Sequence, residues 1–557
     1  MSEFNLIDEP WISVVTDYKG NTKLVGLKEF FENAHNYIAI AGDMPIQDFA
    51  IMRFLLAILH TVFSRYDAFG KLYNEVEVND RMQQIKEVDL EDEEDYEDAL
   101  MKTWKDLWNV GKFPDIIVEY LEKWHNRFYL FDDKYPFYQV TEDIIKKVDK
   151  NFADSKNDTA IIAPKLMNRT ISESMNKQAL FSPRTNEFKN NMTDAELTRW
   201  LITFQGVSNA SDKKSINDIK NKSIGWIYNL GGVFLSSENV SKTLLLNLIL
   251  IHPESQYNNI QKPCWELEQD DIYNRYLNND ITDNISELYT NWSRIMYYFK
   301  YTGTKTKELE NKNIFRIVKT NGIDAEDNFL ELMTIWAVSK GKYFPAKHKK
   351  NRSAWRSFGS IINRTGDQNF RLPGVIDNLN IVKSIAEKNE LIQINAISAI
   401  YDDNISSRAL VDEYYDFFNL ELYVATDQLE NGWAVRINDV IDTTKDVVDK
   451  IFRAFIIDLK TIRNIEVGDF ISDYIETMYY EIDKPFRDWL STIGYEDNKD
   501  EKVETWYKNL KKLVIVQAKK ILKNAAPRDV TGITENDRAK NIATAFDSFM
   551  IRINQKL

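Results

Sequence analysis

The sequence predicts a helix-rich α+β protein: a large mixed α/β domain over residues 1–430 followed by a four-helix bundle over residues 431–557. Three observations predict it. The C-terminal region carries four successive segments with helical apolar spacing. The earlier chain alternates helical stretches with short aromatic strands. Hydrophobic residues make up 43% and aromatic residues 13%, which supplies apolar surface for a large core.

In chain order, residues 46–65, 95–108 and 197–204 read as helices, and 128–131, 226–228 and 417–424 as short strands. No strand–helix period recurs, so one α+β domain is expected rather than stacked βαβ units. The joint falls near Asn431 and Gly432. Beyond it, residues 438–463, 467–493, 502–523 and 535–555 each carry an apolar stripe, as in Phe470, Ile471, Tyr474, Ile475, Met478 and Tyr479. The breaks hold turn residues: Asn464, then Gly494 with Asp497 and Asn498, then Pro527 and Gly532. Short connections between long amphipathic helices favour antiparallel neighbours, which close as a four-helix bundle.

The single cysteine, Cys264, excludes a disulfide framework and a Cys-based zinc ribbon, and fits a reducing cytoplasm. Met1 to Asn5 lacks the basic region of a signal peptide. The most apolar stretches, 49–63 and 244–251, fall short of a span of about 20 residues. They read as buried helices, with no membrane partner.

With 71 Lys and Arg against 86 Asp and Glu, the formal charge of −15 repels phosphate backbones on average. The charge is segregated, however. Residues 87–98 hold nine carboxylates in twelve positions and read as a solvated loop or helix edge. Residues 340–364 hold eight Lys or Arg and no acid, with Tyr343, Phe344, Trp355 and Phe358 interleaved. That is the composition of a phosphate-contacting surface, and also of an ordinary exposed face.

Catalytic signatures are missing. None of the five histidines belongs to an HxxxH or HExxH pattern. The pairs Asp132/Asp133, Asp270/Asp271 and Asp402/Asp403 read as turns or caps. There is no GxxxxGK[ST], GxGxxG or GxSxG, and Cys264 beside Pro263 and Trp265 reads as a small core residue. A binding or assembly subunit without cofactor is expected. A nucleic-acid-processing enzyme with a dispersed carboxylate metal site, or a protein-only scaffold, stays open.

Several fragments resemble one family, CasA, the large subunit of the type I-E Cascade, a CRISPR RNA-guided surveillance complex. Leu6-Ile7-Asp8-Glu9-Pro10-Trp11-Ile12-Ser13-Val14 is similar to its LIDxxWIPV signature, with Ser13 where Pro is usual. Phe128-Tyr129-Leu130 followed by Pro136-Phe137-Tyr138-Gln139 is similar to its FYL…HPFMQ element, and residues 241–247 (SKTLLLN) to its STVLLNVL helix.

The resemblance implies a non-catalytic subunit with four kinds of partner: other Cascade proteins, the CRISPR RNA 5′ handle, double-stranded target DNA, and a recruited helicase-nuclease that docks on it. It implies recognition of the protospacer-adjacent motif (PAM) and help in opening the duplex, while RNA–DNA pairing reads the rest. The family's PAM loop falls on Tyr401 to Ser407: Asn404 matches the residue facing the PAM minor groove, Ile405 stands where the family has a glutamine wedge, and Ser406 follows. The family's PAM-contacting lysine is matched best by Lys349 and Lys350, with Lys347 as the neighbouring candidate. Its glycine-rich loop corresponds to residues 209–214, which hold no glycine but offer Lys213 and Lys214 to phosphates. Its handle-binding loop aligns with Phe181, Pro183, Arg184 and, further on, Lys189. The zinc-binding cysteines of some members are missing around Lys300-Tyr301-Thr302-Gly303, so no structural metal is expected.

Overall fold

The computed structural model describes residues 4–149, 161–162, 167–170, 192–208, 224–278, 280–300, 313–320, 328–362, 371–387, 389–401, 410–535 and 538–557. Its contacts divide the chain into two compact units. One comprises Met1–Lys350, Pro373–Asn378 and Asn395–Tyr415; the other comprises Asn351–Leu372, Leu379–Ile394 and Asp416–Leu557.

The first unit opens on a three-stranded antiparallel sheet with Ile12–Val15 between Thr22–Val25 and Ala39–Ile40. Its core is threaded by the helix Pro45–Phe63, started by Pro45 in the first turn, where a missing N–H costs nothing. At 19 residues this helix lies close to the expected 46–65, and it passes the length and composition test for a membrane span. Burial inside the unit accounts for its apolar character: 94% of its apolar window is covered by protein. Its one strong cation, Arg53, is held bidentately by Glu331 at 2.8 Å on both nitrogens and lies 4.0 Å from the Tyr289 ring centroid. A second buried pair, Arg65 with Glu266, is closed by the Tyr120 hydroxyl at 2.6 Å. Deleting one partner of such a pair strands a charge in the interior.

A second sheet in the order Leu410–Glu421, Leu391–Tyr401, Gly232–Ser236 and the hairpin Trp336–Ser339/Lys342–Pro345 frame the region considered below. The hairpin turns on Lys340 and Gly341, both left-handed (φ 53° and 76°), as a tight two-residue connection requires. The acidic run is exposed as expected, and Glu93, Glu94 and Asp95 enter the first turn of the helix Glu93–Val110, where its dipole favours them.

The expected strand 417–424 ends at Glu421, where the helix Leu422–Thr426 begins, and two other expected strands take other forms. Residues 226–228 lie in a short 3₁₀ turn, Trp226–Asn229, and the strand begins only at Gly232. Within 128–131, pairing is limited to a bridge from Tyr129 to Asn5. In both places aromatic residues are buried by packing rather than by a ladder, a difference that composition does not show.

In the second unit, the first long helix runs through Trp433–Asp446, a π-turn at Val447–Phe452, and Arg453–Arg463, ending at Asn464 in the left-handed region (φ 52°). Phe470–Ser491, Lys499–Lys523 and Ile542–Lys556 follow, so the four expected helices are present and pack on one another. Their centre is aromatic: Phe486 and Trp489 meet Trp506 at 4.9 and 5.6 Å, and the Trp506 indole donates to Thr444. The fourth helix starts later than 535, because Ile533–Glu535 and Arg538–Lys540 form a hairpin and Asn541 caps the helix through the Thr544 N–H.

The joint expected near 431 falls inside this unit. Asp483 accepts from the Ser353 hydroxyl, the Trp355 indole (2.8 Å) and Arg487 (2.7 Å), while Arg487 also holds Asp416 at 2.8 Å. Trp355 stacks on Phe486 at 4.2 Å. One carboxylate thereby fastens segments beginning near 351 and 416 to the helices, which apolar periodicity alone does not reveal.

Candidate nucleic-acid interface

Three segments of the first unit come together at the end of the strand Leu391–Tyr401. The helix Asp194–Val207, opened by a capping box between Thr193 and Glu196, ends with its Val207 carbonyl accepting from the Tyr401 hydroxyl at 3.0 Å. The Ser208 carbonyl then accepts from the Gly225 N–H at 2.8 Å, which closes the root of the segment 209–223. Gly225 is required there: a Cβ would lie 2.1 Å from the Gly206 carbonyl oxygen. Tyr228, three residues on, stacks on Tyr401 with centroids 3.8 Å apart and planes at 27°.

The third segment follows the hairpin. A Cβ on Gly231 would meet the Ala346 carbonyl oxygen at 2.0 Å, so glycine permits the close approach that sets down Lys347. His348 locks the register. Its N–H donates to the Ser398 hydroxyl (3.1 Å), which donates to the Leu230 carbonyl (3.0 Å), and its Nε2 donates to the Gly232 carbonyl (2.9 Å).

The Lys347 ammonium consequently sits 4.6 Å from the Tyr228 centroid and 4.5 Å from that of Tyr401, donating to the Ala399 carbonyl at 3.2 Å. No carboxylate pairs with it among the described residues. Lys347 is solvent-accessible overall, yet loss of hydration around the ammonium lowers its pKa to about 8. Burial, with Tyr228 beside it, holds the Tyr401 hydroxyl well above the ordinary phenol range, so it stays a neutral donor. An under-hydrated cation over two π-faces is poised to accept an anion, which would restore both its charge and its hydrogen bonds.

Lys349 and Lys350, two and three residues beyond Lys347, are exposed and have no partner among the described residues. Asn404, Ile405 and Ser406 lie outside the described residues, as do Lys213 and Lys214, and so do Phe181, Pro183, Arg184 and Lys189. The roots of two of these segments are described, and they meet: 402–409 follows Tyr401, and 209–223 starts beside Val207, to which Tyr401 is bonded. The sequence reading missed the tyrosine pair. Only the position of Tyr401 ahead of Asn404 hinted at it, and nothing in the sequence connects Tyr401 to Tyr228.

The remaining half of the basic run is employed differently. Trp355 and Phe358 are fully buried, and Arg356 lies 3.3 Å above the Tyr479 ring with Glu476 at 3.8 Å. These aromatics are core rather than a stacking platform for bases. Of the other chemical candidates, Asp402 and Asp403 lie outside the described residues, and the rest resolve. Burial pushes the Cys264 thiol up to about 12, which leaves no nucleophilic thiolate near neutrality. Asp132 caps the Lys134 and Tyr135 N–H groups, and Asp270 and Asp271 enter the first turn of Gln269–Asn278. Among the described residues, no group of three or more His, Cys, Asp or Glu is placed to hold a metal ion.

Fold and site together define a class: a two-unit, helix-rich α+β protein that presents a partly dehydrated cation, without a carboxylate partner among the described residues, at the shared root of two long segments. The chain belongs to the Cse1 family, whose model, CRISPR-associated protein Cse1, matches residues 5–516. It is 28% identical over 271 residues to the CRISPR-associated protein CasA/Cse1 of Thermus thermophilus, a stretch covering 48% of this chain and 43% of that relative's length. Its fold is similar to the crystal structure of Thermobifida fusca Cse1, with a TM-score of 0.73 at 19% identity over 99% of this chain and 98% of that one. It is also similar to a chain of a CRISPR RNA-guided surveillance complex, with a TM-score of 0.64 at 12% identity over 99% of both.

Proposed function

We propose that this chain is the large, non-catalytic subunit of a cytoplasmic type I-E CRISPR RNA-guided surveillance complex, and that it reads the PAM of double-stranded target DNA with residues gathered around Lys347. The observation that carries the reading is the convergence just described. Lys347, Tyr228 and Tyr401 sit at the shared root of the segments that bear Asn404 and Lys213/Lys214. In this reading Lys347 takes a phosphate or base-edge acceptor, with Lys349 and Lys350 adding backbone contacts. Asn404 faces the minor groove, Ile405 parts the adjoining base step, and Ser406 adds a contact to the DNA. Lys213 and Lys214 hold the flanking phosphates. Phe181, Pro183, Arg184 and Lys189 contact the CRISPR RNA handle, and other surfaces meet the neighbouring subunits and the helicase-nuclease.

The net charge of −15 implies weak DNA binding by the isolated chain and stronger binding beside other subunits, through effective concentration. The test is duplex binding by the reconstituted complex, with and without this chain, on targets with randomised flanking bases. Gain of affinity together with a preferred flanking motif supports the reading. Binding indifferent to the chain removes it and leaves a scaffold. Chelator-sensitive cleavage of DNA by the purified chain with Mg²⁺ would instead favour a metal-dependent enzyme.

A further inference from the structure

A second basic run lies in the other unit. Between Thr505 and Arg528 there are seven Lys or Arg and no acid, in a chain whose overall balance is acidic. Most of it coincides with the helix Lys499–Lys523. Several of its cations are used locally: Lys508 pairs with Glu504, Lys511 donates to the Leu557 carbonyl, Lys520 faces Glu481, and Arg528 donates to the Ile462 carbonyl. Lys512, Lys519 and Lys523 extend from the solvent side of the helix and have no partner among the described residues.

These three stand seven and four residues apart. At about 1.5 Å and 100° per residue they form a line about 16 Å long within about 40° of one another. The buried stripe of the same helix, Trp506, Leu510, Val514 and Ala518, occupies the opposite side. The helix dipole accounts for Lys523 in the last turn but does not reach Lys512, about three turns away. Val516, between Lys512 and Lys519 on the same side, is the one large apolar side chain exposed on this helix, and a single valine among lysines is not the desolvated apolar centre of a protein interface.

We infer that Lys512, Lys519 and Lys523 form a contact line for the phosphodiester backbone of single-stranded nucleic acid. One straight file of cations at intervals of about 6–10 Å tracks one backbone, whereas a duplex presents two. The inference is independent of the Lys347 reading, because the two sites share no residue.

The experiment follows anisotropy of labelled oligo(dT) of about 30 nucleotides with the full chain across a salt series. Changing all three lysines to Ala should lower the slope of log K against log salt by about 2, from about 0.7 per lost contact, and weaken binding about 100-fold at 0.1 M salt. The triple Arg variant should keep both, since the charge is retained. An unchanged slope in the Ala variant overturns the inference, as does loss of binding in the Arg variant. Tighter binding of a blunt duplex through the same lysines overturns the choice of a single strand, and competition by polyglutamate equal to that of oligo(dT) overturns it in favour of an acidic protein.

Discussion

The two halves of the 340–364 basic run look alike in composition and do opposite things. Residues up to Lys350 belong to the first unit and leave Lys347, Lys349 and Lys350 without a carboxylate among the described residues. Residues from Asn351 belong to the second and commit Trp355, Arg356 and Phe358 to its interior. A cation is free for a ligand only where the fold withholds a carboxylate from it. Arg356 has Glu476 and the Tyr479 ring, while Lys347 has two rings and a carbonyl. The difference teaches that charge and aromatic content nominate a surface, and that packing decides which residues remain on it.

The sharpest way to break this contrast is Trp355→Ala. Loss of a buried ring stacked on Phe486 should destabilise the second unit by about 3–5 kcal/mol, read from its urea transition, whereas Lys349→Ala and Lys350→Ala should stay within about 0.5 kcal/mol. Equal effects would mean that both halves are surface.

Asp483→Asn comes next. It weakens the bonds from Trp355 and Arg487 and should cost about 1–3 kcal/mol. Burial opposes ionisation of Asp483, but hydrogen bonds from Arg487, Ser353 and Trp355 outweigh it and hold its pKa below the ordinary carboxylate value. Its contribution is therefore complete above the unfolded value and fades as pH falls through the lower folded one. An Asn variant should lose that part of the acid dependence, and an unchanged acid profile would count against the tether.

Lys347→Ala tests the other half. In the assembled complex it should leave stability near that of the unaltered chain, lower the salt slope of duplex binding by about 0.9 and weaken affinity roughly tenfold at 0.1 M salt. An unaltered slope would take Lys347 out of the interface.

The smallest effect is on pH. Because the Lys347 ammonium has a pKa lowered to about 8, duplex affinity should fall severalfold as pH rises from about 7 to about 9, through deprotonation of the free site. Lys347→Arg keeps its charge throughout that range and should flatten the profile. A profile that falls equally in the Arg variant would assign the titration elsewhere.

The bundle was legible because its information is local. Phe470, Tyr474, Met478 and their neighbours declare a helix face at a period of 3.6, and Asn464 marks the stop with the left-handed conformation found there. The core helix was legible in kind and extent but not in what holds it. The burial of Arg53 hangs on Glu331, far along the chain, and no period reports such a pair. The candidate site was legible only in part. Tyr401 and the lysines around 347 were visible, but Tyr228 and the carbonyls of Val207 and Ala399 come from segments brought together by folding alone.

The sequence by itself determined the family signatures, the helix-rich α+β class and the four C-terminal helices, because these rest on spacings shorter than one element. Only the tertiary structure decided where the two units divide, which of two similar basic half-runs stays exposed, and that Lys347 stands over Tyr228 and Tyr401 with no carboxylate beside it among the described residues. Burial, charge pairing and dehydration depend on which distant residues meet, and one-dimensional order carries no direct record of that.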